Sequence, residues 1–177
     1  MRCGGYSLIE VLVAMFVLAT GVLGAAATQA VALRMRHDSD LMTAAVRLGA
    51  TLGERLNANP SAAGAYLFEF DAGDGGQPPA PPAQCFGAAG CDPEQLAAFD
   101  VHDISRALAA SFPGGRVKVC RDAQPWDASR KSLRWDCDAS GGAPIVVKIG
   151  WHERASAGDL REDDAPRVAL PLIWGGP

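Results

Sequence analysis

With 177 residues, a formal net charge of -4 and a pI near 5.3, the chain has room for one membrane segment and one modest folded domain. Its acidity excludes the broad basic face that a nucleic-acid binder turns toward phosphates, so no nucleic-acid partner is expected.

The chain starts with a short polar leader that carries Arg2 and Cys3 and closes on Gly4-Gly5. The run from Leu8 to Leu33 is apolar, interrupted by Glu10, Thr20 and Gln29. About 26 residues at roughly 1.5 Å each predict a helix of about 39 Å, which exceeds a hydrocarbon core of about 30 Å. A secretory signal has its small-residue cleavage site after the apolar stretch. Here the good candidate, Gly5, precedes it, so cleavage leaves the stretch on the mature protein. A carboxylate within such a span costs roughly 2.5 to 3.5 kcal/mol on insertion scales. Glu10 therefore calls for a partner, and the natural one is a freshly cut amino terminus. The bland alternative is that Glu10 snorkels to the nearby headgroups.

Flanking charge points the other way. Arg2 alone precedes the run, whereas Arg34, Arg36 and Arg47 follow it, and the positive-inside rule weakly prefers the opposite orientation. The even set Cys85, Cys91, Cys120 and Cys137, all downstream, is typical of an exported domain. With the position of Gly5, it overrules the flanks.

Beyond the span, Leu41, Ala45, Leu48, Leu52 and Leu56 recur at helical spacing. Asn57-Ala58-Asn59-Pro60 supplies a stop, since the residue before proline avoids helical geometry. One helix from about Ser7 to Asn57 is expected, half in lipid and half packed on its own domain. Gly21 and Gly24 are its breakers. Their spacing to Ala25 and Thr28 also permits close helix contact in a membrane.

Residues 60–84 read as a turn-rich connection, with Tyr66 to Phe70 as a short strand or an anchor. Asp92-Pro93-Glu94-Gln95 reads as a capped helix start. Ala97, Val101, Ile104 and Leu108 share the buried face of that helix, which Phe112-Pro113-Gly114-Gly115 ends. Strand-like runs follow at 116–121, 132–137, 145–153 and 167–174, predicting a four-stranded antiparallel sheet buried on one face. Val117, Val119, Val147, Ile149 and Trp151 form the inward set, with Lys148 and His152 outward. The fold class is thus α+β, a long N-terminal helix packed on that sheet with a second short helix. Four cysteines allow three pairings that sequence cannot separate; the local set, Cys85 with Cys91 and Cys120 with Cys137, is the expected one.

Catalytic and metal constellations are weak. His37, His102 and His152 are isolated, Asp71 and Asp74 lack calcium-loop spacing, and no serine sits in a nucleophile-elbow context. Catalytic residues, metal ligands and cofactors are accordingly expected to be none, and the chain not to be an enzyme. Arg161 to Asp164 reads as a solvated hairpin tip. Trp126, Trp135, Trp151 and Trp174 read as core.

Gly5-Tyr6-Ser7-Leu8-Ile9-Glu10-Val11-Leu12-Val13-Ala14 resembles the class III leader of type IV pilins and type II secretion pseudopilins. The resemblance implies that a membrane aspartyl peptidase cuts after Gly5 and that Tyr6 becomes the N-methylated first residue. Tyr6 stands where that family usually has phenylalanine. Cys85, Cys91 to Asp100, Pro113-Gly114-Gly115 and Val119-Cys120 further resemble the PilV family of minor pilins, the type IV pilus modification proteins. That implies a low-abundance subunit that primes pilus assembly at or near the fibre tip. Implied partners are prepilin peptidase, the inner-membrane pilus assembly platform, other minor pilins, the major pilin and a tip adhesin. The division expected is leader 1–5, transmembrane and assembly half-helix 6–33, periplasmic half-helix 34–59 and globular head 60–177. The precursor would be a single-pass inner-membrane protein with a periplasmic head, and the assembled subunit part of the fibre. Alternatives are a minor pseudopilin of type II secretion and a single-pass periplasmic binding protein that is never assembled.

Overall fold

The structure, a computed structural model, describes residues 7–73, 75–80, 85, 90–152 and 165–172. Helix α1 runs from Leu8 to Ala58 without a proline. Its threonines do not leave hydroxyls idle in the apolar stretch. Thr20 Oγ donates to the carbonyls of Phe16 and Val17, and Thr28 Oγ donates to that of Ala25, the internal satisfaction that a lipid environment demands. The chain divides into two compact units, Met1–Leu41 and Met42–Pro177, and α1 contributes to both.

In the second unit the end of α1 buries Ala45, Gly49, Leu52, Gly53 and Leu56. A 3-10 turn at Pro60–Tyr66 and a three-residue strand β1 (Glu69–Asp71) follow. Helix α2 (Pro93–Ser111) opens on a capping box in which Asp92 accepts from Gln95 N at 2.8 Å and Gln95 Oε1 accepts from Asp92 N at 3.2 Å. Ala97, Val101, Ile104 and Leu108 are buried along it, so the apolar spacing does mark its inner face. Strands β2 (Arg116–Arg121), β3 (Trp126–Asp127), β4 (Ser132–Leu133), β5 (Ile145–Gly150) and β6 (Val168–Leu172) complete the head. A four-stranded antiparallel sheet has the order β1-β2-β5-β6, and β3 and β4 form a separate hairpin.

α1 can lie close on this sheet because of its glycines. A Cβ at Gly49 would come within 2.8 Å of Leu170 Cδ1 and 3.2 Å of Val147 Cγ1, and one at Gly53 within 3.3 Å of Leu172 Cδ2.

Two expectations about the sheet are corrected. The run 132–137 does not enter the main sheet: Ser132 and Leu133 pair with Asp127 and Trp126 in the small hairpin, and β1 takes the edge beside β2. The reason lies in long-range contacts. Arg134 Nε donates to the Gln124 carbonyl at 2.7 Å, and a Cβ at Gly150 would sit 2.8 Å from the Trp135 ring, so this stretch covers the sheet instead of extending it. The sheet is also not buried on one face alone. Every residue of β5 is buried, Lys148 included at 0% exposure. Val147 faces α1, and the alternate residues Lys148 and Gly150 meet the segment between Cys120 and Cys137.

The tryptophans divide as well. Trp151 is 5% exposed and core. Trp135 lies over Gly150 with the Arg116 guanidinium 4.4 Å from its ring centroid, but Trp126 is 54% exposed. It sits on the two-residue strand β3, whose hairpin is too short to cover it. Trp174 and the stretch Arg161 to Asp164 lie outside the described residues.

Candidate functional site

The leader sites Gly5 and Tyr6 lie outside the described residues, which begin at Ser7. Ser7 O accepts the amides of Glu10 at 3.0 Å and Val11 at 3.3 Å, so α1 is hydrogen-bonded from its first turn. Glu10 lies in that turn, where a carboxylate favours the positive end of the helix dipole. It is exposed and makes no ion pair among the described residues. Around and after it Leu8, Leu12, Phe16 and Leu18 are 77%, 58%, 70% and 71% exposed. The helix is long and apolar enough to cross a membrane, and its most apolar stretch buries none of itself against the protein. A carboxylate near one end of an apolar, uncovered rod can accept hydrogen bonds or a cation.

The head shows how its cysteines are used. Cys85 and Cys91 are joined at a Cα separation of 5.4 Å, and Cys120 and Cys137 at 6.4 Å. The loop closed by the second bridge carries Asp122, one half of a buried ion pair. Lys148 Nζ lies 2.5 Å from Asp122 Oδ2 and donates to the Asp136 carbonyl at 2.7 Å. Asp122 Oδ1 accepts the amides of Gln124 at 2.9 Å and Asp138 at 3.1 Å. Burial works to raise the Asp122 carboxyl, but Lys148 and the two amides outweigh it and hold the group below the ordinary carboxylate range. All these partners come from within or beside the bridged loop, apart from Lys148 on β5. The cross-link and the ion pair therefore fix one loop on one sheet face.

A second polar cluster ties the end of α1 to α2. Arg55 Nη1 donates to Asp100 Oδ1 at 3.0 Å and Nη2 to Asp103 Oδ2 at 2.7 Å. Tyr66 Oη donates to Asp100 Oδ2 at 2.7 Å, and Asn59 Nδ2 donates to the Pro93 carbonyl at 2.7 Å. Burial first, and donation to Asp100 next, push the Tyr66 phenol up to about 12. The Arg55 hydrogen bond is the main reason that Asp103 stays below the carboxylate range. Neither cluster has sequence spacing that would reveal it, because Asp100, Asp122 and Lys148 look like ordinary surface residues of a helix, a turn and an alternating strand.

The remaining candidates stay scattered. Asp71 Oδ1 accepts the Gly73 amide at 2.7 Å as in a plain turn, and Asp74 lies outside the described residues. Among the described residues no group of three His, Cys, Asp or Glu could hold a metal ion.

Residues 1–26 match the family model described as the prokaryotic N-terminal methylation motif. No curated protein and no solved structure matches the chain. The match covers the first residues and the start of α1, and with the α+β fold downstream it supports a type IV pilin-like or pseudopilin protein. Such a motif implies processing by prepilin peptidase and assembly with other pilins. It points to a structural role.

Proposed function

We propose that the chain is a minor pilin of the PilV type, cut after Gly5, methylated at Tyr6 and inserted into a type IV pilus within a minor-pilin complex near the tip. The observation that carries the reading is the methylation motif over residues 1–26, continuing into an apolar helix whose long side chains are uncovered. Assembly exchanges lipid contacts for neighbouring helices. Glu10 takes the processed amine of Tyr6 on an adjacent subunit, since two opposite charges in an apolar bundle neutralise each other and removal of either strands the other. The head stays on the exported side, where its two disulfides persist.

The test has two parts. Co-expression with prepilin peptidase and intact-mass measurement should show loss of residues 1–5 and gain of one methyl group. Glu10→Ala should then lose co-purification with other minor pilins while its mass remains that of the processed chain. A chain still starting at Met1 beside a trimmed major pilin defeats the reading. Cleavage accompanied by co-purification with type II secretion components only would favour the pseudopilin alternative.

A further inference from the structure

The apolar span of α1 is bounded by Glu10 at one end and by Arg34, Arg36 and His37 at the other. All four residues are exposed, on one continuous helix. None of the three basic residues pairs with Asp38, Asp40 or any other group among the described residues. At about 100° per residue, Arg36 and His37 lie roughly 200° and 300° around the axis from Arg34. Such a spread suits a ligand that surrounds the helix better than a partner on one face.

The axial distance selects that ligand. From Glu10 to Arg34 the helix rises about 36 Å. A bilayer has a hydrocarbon core of about 30 Å and measures about 40 to 45 Å with its headgroup layers. An upright helix therefore puts both charged ends in headgroup layers at the same time, and modest tilt preserves this. Arginine is the side chain best suited to phosphate, through its bidentate donors.

We propose that Arg34, Arg36 and His37 form a collar that binds phospholipid phosphates of one leaflet, and that the overlong span holds Glu10 in the headgroup layer of the other leaflet until the helix is displaced along its axis. With the difference of about 6 Å between the 36 Å rise and the 30 Å core shared between the two ends, a shift of about 3 Å toward the collar side brings Glu10 to the hydrocarbon edge. Beyond it Glu10 enters hydrocarbon and needs a cation. The carboxylate is thus quiet in a resting subunit and demands a neighbouring amine only in one that has been lifted. The inference rests on the membrane-anchoring part of the function proposed above and not on assembly.

The full uncleaved chain, reconstituted without other subunits, tests it. A nitroxide amino acid at Val11 reports depth by its accessibility to an aqueous nickel chelate and to oxygen, in dioleoyl- and in thicker dierucoylphosphatidylcholine vesicles. The label should sit at headgroup depth in the thinner bilayer. It should sink by about one helical turn, roughly 5 Å, in the thicker one, where the collar holds the far end. In the R34Q/R36Q/H37Q chain it should return to headgroup depth in the thicker bilayer. A label already in hydrocarbon in the thinner bilayer overturns the proposal, as does a depth in the thicker one that ignores the triple substitution. Either result leaves cleavage and incorporation, which test the proposed function, untouched.

Discussion

Lys148 shows how much a single residue can carry in this head. Its ammonium is fully enclosed with Asp122, and breaking a buried pair by removing one partner typically costs about 3 to 5 kcal/mol. Lys148→Met should therefore lower the urea midpoint of the detergent-solubilised chain by a large fraction of its stability. Adding Asp122→Asn should recover more than half of the loss, because asparagine keeps an oxygen for the Gln124 and Asp138 amides without leaving a charge stranded. If the double variant is as unstable as the single one, the loss comes from packing of the lysine stem and not from the uncompensated carboxylate.

At the level of elements, α1 is one helix with two kinds of glycine. Gly21 and Gly24 have nothing within 4 Å of an added Cβ, whereas Gly49 would drive one against Leu170 and Val147. Gly49→Val should destabilise the head by about 1 to 3 kcal/mol, the usual cost of overpacking. Gly24→Ala should leave head unfolding within about 0.5 kcal/mol of the parent. Thermal melts followed by tryptophan fluorescence separate the two, and equal shifts would show that the close approach of α1 to β5 and β6 is not what stabilises the head. The difference between these glycines is not legible in the sequence, and the reason is general to the molecule. α1, the Asp92 capping box and the Asn59-Pro60 stop are written in neighbouring residues and were readable from them. The membership of β1 in the sheet, the folding of 132–137 over its outer face and the burial of Lys148 depend on residues far apart in the chain. An alternating strand reads as one-sided until something covers its polar side. Glu10 stands out in the sequence for the opposite reason, since an acid in a long apolar run is conspicuous without any tertiary context.

For the whole molecule, the electrostatics set a stability plateau with two edges. Glu69, Asp103 and Asp122 are all held below the carboxylate range. Burial opposes the shift at Glu69 and Asp122, whose cationic partners outweigh it, and at Asp103 the Arg55 bond leads. A depressed native value means that the unfolded chain binds protons first. Their contribution is complete above the unfolded values of about 4 and is lost as pH falls from there through the native ones. Tyr66 works in the other direction, its phenol raised to about 12 chiefly by burial and then by donation to Asp100. A raised native value leaves the contribution intact below the unfolded value of about 10, and it disappears as pH climbs through about 12. Tyr66→Phe should cost about 1 to 2 kcal/mol near neutrality, since a hydrogen bond to a charged acceptor is lost while Arg55 still serves Asp100. Across a pH series of urea titrations the gap between parent and variant should stay constant up to about pH 10 and then close toward pH 12, because only the parent has this phenol to ionise on unfolding. A gap that persists unchanged to the alkaline end would mean that the Tyr66 hydroxyl is not held neutral by its enclosure between α1 and α2.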